Sequence, residues 1–134
     1  MSFLGKTYNF VSQENFEEFV KAIGIPDDKI AAALKFNPGF KIEKNGDTYV
    51  LYTISDVAPK EVSFKSGVEF DDKVGAENVP AKSKITVDGN TVTQVVSTKD
   101  FGSGTLVREF NGDECAVTIK SDKYDGVAKR FYKA

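Results

Sequence analysis

The sequence has no histidine and a single cysteine among its 134 residues. The missing histidine removes the commonest general base and the commonest zinc ligand. One cysteine, Cys115, excludes an internal disulfide and any cysteine metal cluster, so neither metal nor cofactor is expected. No stretch approaches the ~20 apolar residues that a membrane-spanning helix needs. The opening residues Met1-Ser2-Phe3-Leu4-Gly5-Lys6 show neither the long apolar segment nor the cleavage-like site of a secretory signal, and with one reduced cysteine the expectation is a cytoplasmic protein. Basic runs are absent too. Lysines are interspersed with acids and the formal net charge is −2, which gives no electrostatic case for nucleic acid.

What is present is a single domain's worth of chain, 1–134, with 40% hydrophobic residues for a core and 28% charged residues for its surface. Helical periodicity occurs in one region. Phe16, Phe19, Val20 and Ile23 form an i, i+3, i+4, i+7 stripe. Asn15 suits an N-cap with Glu18 three residues on, and Gly24 a stop. Pro26 fits the first turn of a second helix with Asp27 and Asp28 at its positive end, and Ile30, Ala31, Ala33 and Leu34 on its buried side. Helix is thus expected within about 15–36.

The remainder alternates and turns. Asn45-Gly46-Asp47, Asp88-Gly89-Asn90 and Asn111-Gly112-Asp113 are hairpin signals, and Ser66-Gly67 is another. One strand precedes the helices and about nine follow, with no crossover helix between them, which describes an antiparallel meander. So many strands hide their edges most simply by closing. The expected fold is all-β with a small helical lid: a ten-stranded antiparallel up-and-down barrel, or clam, capped by a helix-turn-helix.

Three residues near the C-terminus point to chemistry. In Leu106-Val107-Arg108-Glu109-Phe110, alternation puts Arg108 on the face of Leu106 and Phe110. In Ala128-Lys129-Arg130-Phe131-Tyr132-Lys133, Arg130 and Tyr132 share a face and the lysines take the other. Arginine is rarely buried without a partner. Two readings stay open on this pattern alone: the arginines pair with an internal acid, or they await an anionic guest, for which a carboxylate fits the guanidinium fork. Glu109 is adjacent but points away. Cys115 lies on the face of Val117 and Ile119 and reads as an inert core thiol, with nothing nearby to deprotonate it.

Taken in order along the whole chain, these segments resemble the fatty-acid-binding protein family of intracellular lipid carriers. Gly5-Lys6-Thr7-Tyr8-Asn9-Phe10 with Ser12 to Phe19 and Lys21-Ala22-Ile23-Gly24 is similar to its N-terminal signature. Ile42 to Asp47 and Ser63 to Asp71 are similar to its middle, and Leu106-Val107-Arg108-Glu109 with Arg130-Phe131-Tyr132 to its head-group motif. The stretches Val87 to Val96 and Tyr124 to Ala128 look most like the insect midgut branch.

The resemblance implies one long-chain fatty acid per chain, non-covalently bound and transported by a monomer. It maps Arg108 and Arg130 onto the two head-group arginines and Tyr132 onto the hydroxyl donor. Thr53 and Cys115 fall on cavity-facing positions, and Phe16, Val20 and Pro38 on the wall near the lid. Tyr8 stands where the family has tryptophan, Val57 where it has a portal phenylalanine, and the last hairpin is about two residues longer. That hairpin's tip, Ser121-Asp122-Lys123, is expected to extend into solvent. Another hydrophobic carboxylate, a retinoid or a bile-acid-like molecule, is the alternative ligand. An acyl hydrolase is disfavoured by the absence of a histidine base and of a Gly-x-Ser-x-Gly elbow. Lys21, Lys29 and Lys35 on the lid suit either ordinary solvation or transient contact with anionic lipid.

Overall fold

Tight turns and alternating apolar residues generate the architecture. The computed structural model describes residues 3–74 and 78–134. Its elements run β1 (Thr7–Glu14), α1 (Phe16–Ala22), α2 (Asp27–Lys35), β2 (Gly39–Asn45), β3 (Thr48–Ile54), β4 (Lys60–Phe64), β5 (Glu69–Val74), β6 (Val79–Asp88), β7 (Thr91–Thr98), β8 (Ser103–Asn111), β9 (Glu114–Ser121) and β10 (Tyr124–Lys133). Gly112, at the first central position of the β8–β9 turn, has φ 62°, as a hairpin with glycine leading requires.

All ten strands belong to one antiparallel sheet in the order β4-β3-β2-β1-β10-β9-β8-β7-β6-β5. The meander wraps so that its first and last strands meet, giving a nearly closed barrel. β4 and β5, consecutive in the chain, are the two ends of the sheet and share no ladder. Side chains bridge this seam instead. Lys60 on β4 pairs with Asp72 on β5 at 3.0 Å, and Phe64 stacks on Phe70 with ring centroids 6.2 Å apart.

β1 reaches both β2 and β10. It pairs with β2 at Thr7 and Tyr8, and with β10 from Asn9 onward. A bulge between Phe10 and Ser12 turns the strand between these partners and leaves Val11 59% exposed. Gly39 opens β2 where a Cβ would stand 2.9 Å from the Tyr8 carbonyl, so the close approach of β1 and β2 depends on its missing side chain.

One end of the barrel is filled by aromatic rings. Phe3 stacks on Phe110 at 4.2 Å, and Tyr8 packs on Phe40 and Phe110 at 5.4 and 5.1 Å. Tyr8 is 1% exposed, and its hydroxyl donates to the Gly112 carbonyl at 3.0 Å. The smaller ring in place of tryptophan therefore keeps both an apolar body and a bonded polar tip.

The lid sits at the helical end and departs in detail from the sequence reading. Asn15 adopts φ 58° and its side chain caps nothing in α1; its Nδ2 donates instead to the Val127 carbonyl of β10 at 3.2 Å. The helix ends as expected in a Schellman motif, with the amides of Gly24 and Ile25 donating to the carbonyls of Lys21 and Val20. Pro26 precedes α2 in extended backbone rather than occupying its first turn, and Ala31 is exposed while Ile30 is buried.

The extra length of the last hairpin is also not simply a longer tip. β9 and β10 lose register between Tyr124 and Ala128, where Asp125, Gly126 and Val127 oppose Lys120 alone. This bulge is the seat of α1. Phe19 meets the Tyr124 ring edge-on at 5.9 Å, beside the Asn15–Val127 bond. The tip itself folds onto the β7–β8 loop: the Ser103 amide donates to Asp122, and Lys123 Nζ to the Asp100 carbonyl.

Tyr8→Phe removes one hydrogen bond and keeps the ring. It leaves the Gly112 carbonyl without this donor and is expected to cost about 1 kcal/mol. A lower urea midpoint at unchanged m-value is the signature to look for.

Candidate functional site

The three C-terminal strands place the charged residues in a lattice. Across β8, β9 and β10 the register aligns Leu106, Ile119 and Ala128 in one row, then Arg108, Val117 and Arg130, then Phe110, Cys115 and Tyr132. All of these but the half-buried Leu106 are buried, whereas Glu109, Lys129 and Lys133 on the alternate positions are exposed. Adjacent strands lie about 4.8 Å apart, so the two arginines flank Val117 across roughly 10 Å of inner wall.

Each guanidinium lies near aromatic rings. The Arg108 head group is 5.3 Å from the Phe40 ring centroid. Arg130 is 4.7 Å from both Phe10 and Phe16, so β1 and the lid each supply a ring face. Arg108 Nη1 donates to Gln94 Oε1 at 3.0 Å. Arg130 Nη2 donates to the Phe36 carbonyl at 3.1 Å and to Asn37 Oδ1, both in the α2–β2 connection. These bonds leave donors over. Nε of both arginines is buried without a hydrogen-bond partner among the described residues, and neither arginine is ion-paired with a described carboxylate.

Electrostatics within the wall are mutual. Burial lowers the pKa of both guanidiniums, and the neighbouring Tyr132 opposes this. Burial also raises the Tyr132 phenol, partly offset by Arg130 and Arg108. The phenol therefore stays protonated at neutral pH and able to donate. Two fixed cations and a hydroxyl donor on one face are groups of the kind that can hold an anion.

An internal acid does exist, and it was not among the residues singled out from the sequence. The Asp72 carboxylate on β5 is 2% exposed. It accepts from Lys60 Nζ at 3.0 Å, from the Lys73 amide at 2.8 Å and from Ser83 Oγ at 2.8 Å. Gln94 Nε2 donates to Ser83 Oγ at 3.4 Å, which links Asp72 to Arg108 through two neutral side chains. The internal-acid alternative for the arginines does not hold in its simple form. Arg108 reaches an acid only through a relay, and Lys60 already balances that acid. Gln13, opposite Arg130 in register, adds a buried Oε1 without a hydrogen-bond partner among the described residues.

The other expected site residues lie around this wall. Phe16 covers Arg130. Val20 is 3% exposed in the core under α1. Cys115 is 2% exposed in the row of Tyr132. Thr53 pairs in register with Phe40 and Lys60, toward the seam. Pro38 lines an open cleft of about 640 Å³ between the end of α2 and the β3–β4 connection, with Phe36, Asn37, Ile54 and Val57 also on its walls. Val57, in place of a phenylalanine, is 73% exposed at this mouth. Arg130 thus bonds the same segment that borders the opening.

Residues 4–129 match the family model for the lipocalin / cytosolic fatty-acid binding proteins, and the chain belongs to that family. It is 53% identical to fatty acid-binding protein 2 of Manduca sexta, over the full length of both chains. The solved fatty-acid-binding protein isolated from Manduca sexta superimposes with a TM-score of 0.93 at 52% identity, covering 99% of this chain and 100% of the other. The fatty acid-binding protein from Drosophila melanogaster brain tissue gives a TM-score of 0.84 at 35% identity, covering 99% and 100%. The resemblance to the insect branch is supported by these relatives.

Burial pushes the Cys115 thiol up to about 12. Its thiolate is then negligible at pH 8, and the thiol should not react with Ellman's reagent in the folded protein. Unfolding in urea should release one full equivalent; rapid native-state reaction would show that the β9 wall opens.

Proposed function

We propose that this protein binds one long-chain fatty acid per chain and carries it non-covalently, the whole chain acting as one monomeric unit in the cytoplasm. The acyl tail lies in the barrel interior, and the carboxylate is held by Arg130, Tyr132 and Arg108. The observation that carries this reading is the interior's charge balance. Asp72 is matched by Lys60, which leaves two buried guanidiniums without a carboxylate among the described residues. A ligand that brings one negative charge and a long apolar body satisfies both features of the wall.

The energetics agree. A C16 to C18 acid buries about 15 methylenes at about 0.8 kcal/mol each. Association and ordering remove a large share, so micromolar to sub-micromolar affinity is the expected order. The tail supplies most of the binding energy; the arginines and Tyr132 discriminate the acid from an uncharged analogue. Fatty-acid binding is also what the names of the similar Manduca sexta and Drosophila melanogaster proteins state of those proteins.

A carrier suits these residues better than an enzyme does. The Cys115 thiol is held protonated, and the sequence has no histidine to activate a hydroxyl. Transient contact of the lid with anionic membrane rests on Lys21, Lys29 and Lys35. Lys21 is already engaged by Glu17 at 3.1 Å, which weakens it as a lipid anchor.

Calorimetry with hexadecanoic acid and 1-hexadecanol tests the head-group reading. The acid should bind clearly more tightly; equal affinities would remove the arginines from ligand recognition. Arg130→Leu deletes charge-assisted bonds worth about 1.5–3 kcal/mol each. Acid affinity should fall at least about tenfold while alcohol affinity changes little. Arg108→Leu should act in the same direction, and the double variant should lose less than the product of the two, because both arginines serve one carboxylate.

A further inference from the structure

The polar residues Lys60, Asp72, Ser83, Gln94 and Arg108 come one from each of β4 to β8, so the series crosses the seam and then runs strand by strand to the head-group wall. Its hydrogen bonds share one direction. Arg108 Nη1 donates to Gln94 Oε1 at 3.0 Å, Gln94 Nε2 to Ser83 Oγ at 3.4 Å, and Ser83 Oγ to Asp72 Oδ2 at 2.8 Å. Lys60 Nζ donates to Asp72 Oδ1 from the other side at 3.0 Å and also reaches the Lys73 carbonyl. Ser83 and Gln94 are 0% and 5% exposed, so water screens the chain little.

We propose that Asp72 is the interior's resident counter-anion, and that its neutralisation by Lys60 sets how strongly the cavity prefers a carboxylate to an uncharged head group. The inference rests on the head-group reading above. A second anion inside the barrel competes with the ligand for the field of Arg108. Asp72 does act on that field, since its charge favours the protonated Arg108 guanidinium against the effect of burial. Lys60 cancels most of this competition from its position at the seam, 24% exposed. Neither residue needs to touch the ligand. They are positioning residues acting through charge, and their effect reaches an acid but not an alcohol.

The two partners should therefore shift selectivity in opposite directions. Lys60→Met leaves Asp72 uncompensated and should weaken hexadecanoic acid binding. Asp72→Asn removes the competing anion, keeps a side chain that can hydrogen-bond, and should strengthen it. Three strand spacings separate β5 from β8, about 14 Å, so each change is expected to be about threefold to tenfold. Affinity for 1-hexadecanol should stay within about twofold. Lys60→Arg should leave the acid-to-alcohol ratio at the wild-type value, and Lys60→Met combined with Asp72→Asn should return it close to that value.

Opposite signs for the two single variants cannot arise from a shared loss of fold. If acid and alcohol affinities fall together in both, or if the ratio does not move, the pair only closes the seam and the inference is overturned. Wild-type protein that binds acid and alcohol equally would bring down the head-group reading itself, and this inference with it. Wild-type discrimination with an unmoved ratio in the variants would bring down this inference alone.

Discussion

Positive charge held inside the barrel is the constraint around which the rest of the structure is arranged. A guanidinium taken out of water carries a large desolvation cost, and an unpaired buried ion is among the most destabilising features a core can hold. Here two of them sit in one row of the sheet. The protein offsets the cost with what a β-wall can supply: ring faces from Phe10, Phe16 and Phe40, the amide of Gln94, and the carbonyl of Phe36 with the side chain of Asn37. These partners are neutral. They stabilise a cation without neutralising it, so the wall keeps its attraction for an anion. A buried carboxylate beside each arginine would be more comfortable for the empty protein and would leave nothing for a ligand to do.

The same requirement connects the site to its entrance. Arg130 projects from β10 but bonds the α2–β2 connection and lies against Phe16 of α1. The lid is thus held at two places on one strand: by the bulge at Asp125–Val127, where Asn15 and Phe19 dock, and by the Arg130 guanidinium deeper in the barrel. The cleft between α2 and the β3–β4 connection borders the second of these. A carboxylate that engages Arg130 competes with the Phe36 carbonyl and Asn37 for the same donors. On the proposed function, occupancy of the carboxylate site and attachment of the lid would then be linked, and linkage of this kind is reciprocal.

How much of this was legible in the sequence follows from which interactions are local. Strand alternation is local, and it put Arg108, Arg130 and Tyr132 on inner faces with Glu109 outside, as observed. The glycine-containing turns fixed the meander for the same reason. Asp72 shares the face of Phe70 and Val74 by the same alternation, a local signal; its partners Ser83 and Lys60 come from pairing with β6 and from the seam, which are not local. Lys60, in Pro59-Lys60-Glu61, has the look of an ordinary surface lysine; its role comes from the seam, which depends on global closure. Asn15 has the look of a helix cap because that motif is local, whereas its true partner, Val127, lies across the fold. The bulge that takes up the extra residues of the last hairpin is invisible without register, since the same insertion can equally lengthen a tip.

The seam explains why the balancing acid lies where it does. β4 and β5 have no ladder between them, so backbone hydrogen bonds cannot hold the barrel shut there, and side chains must. An apolar contact, Phe64 on Phe70, covers one part; an ion pair with a buried carboxylate covers another. An ion pair is directional, and the three donors on Asp72 fix both strands relative to β6. That closure introduces a negative charge into a cavity whose ligand would also be negative. With Lys60 on the neighbouring strand, the charge needed for closure is cancelled at its source, and the arginines several strands away keep their excess. On the proposed function, closing the barrel and keeping it receptive to an anion would both be met by one pair of residues, at the β4–β5 seam where no backbone ladder forms.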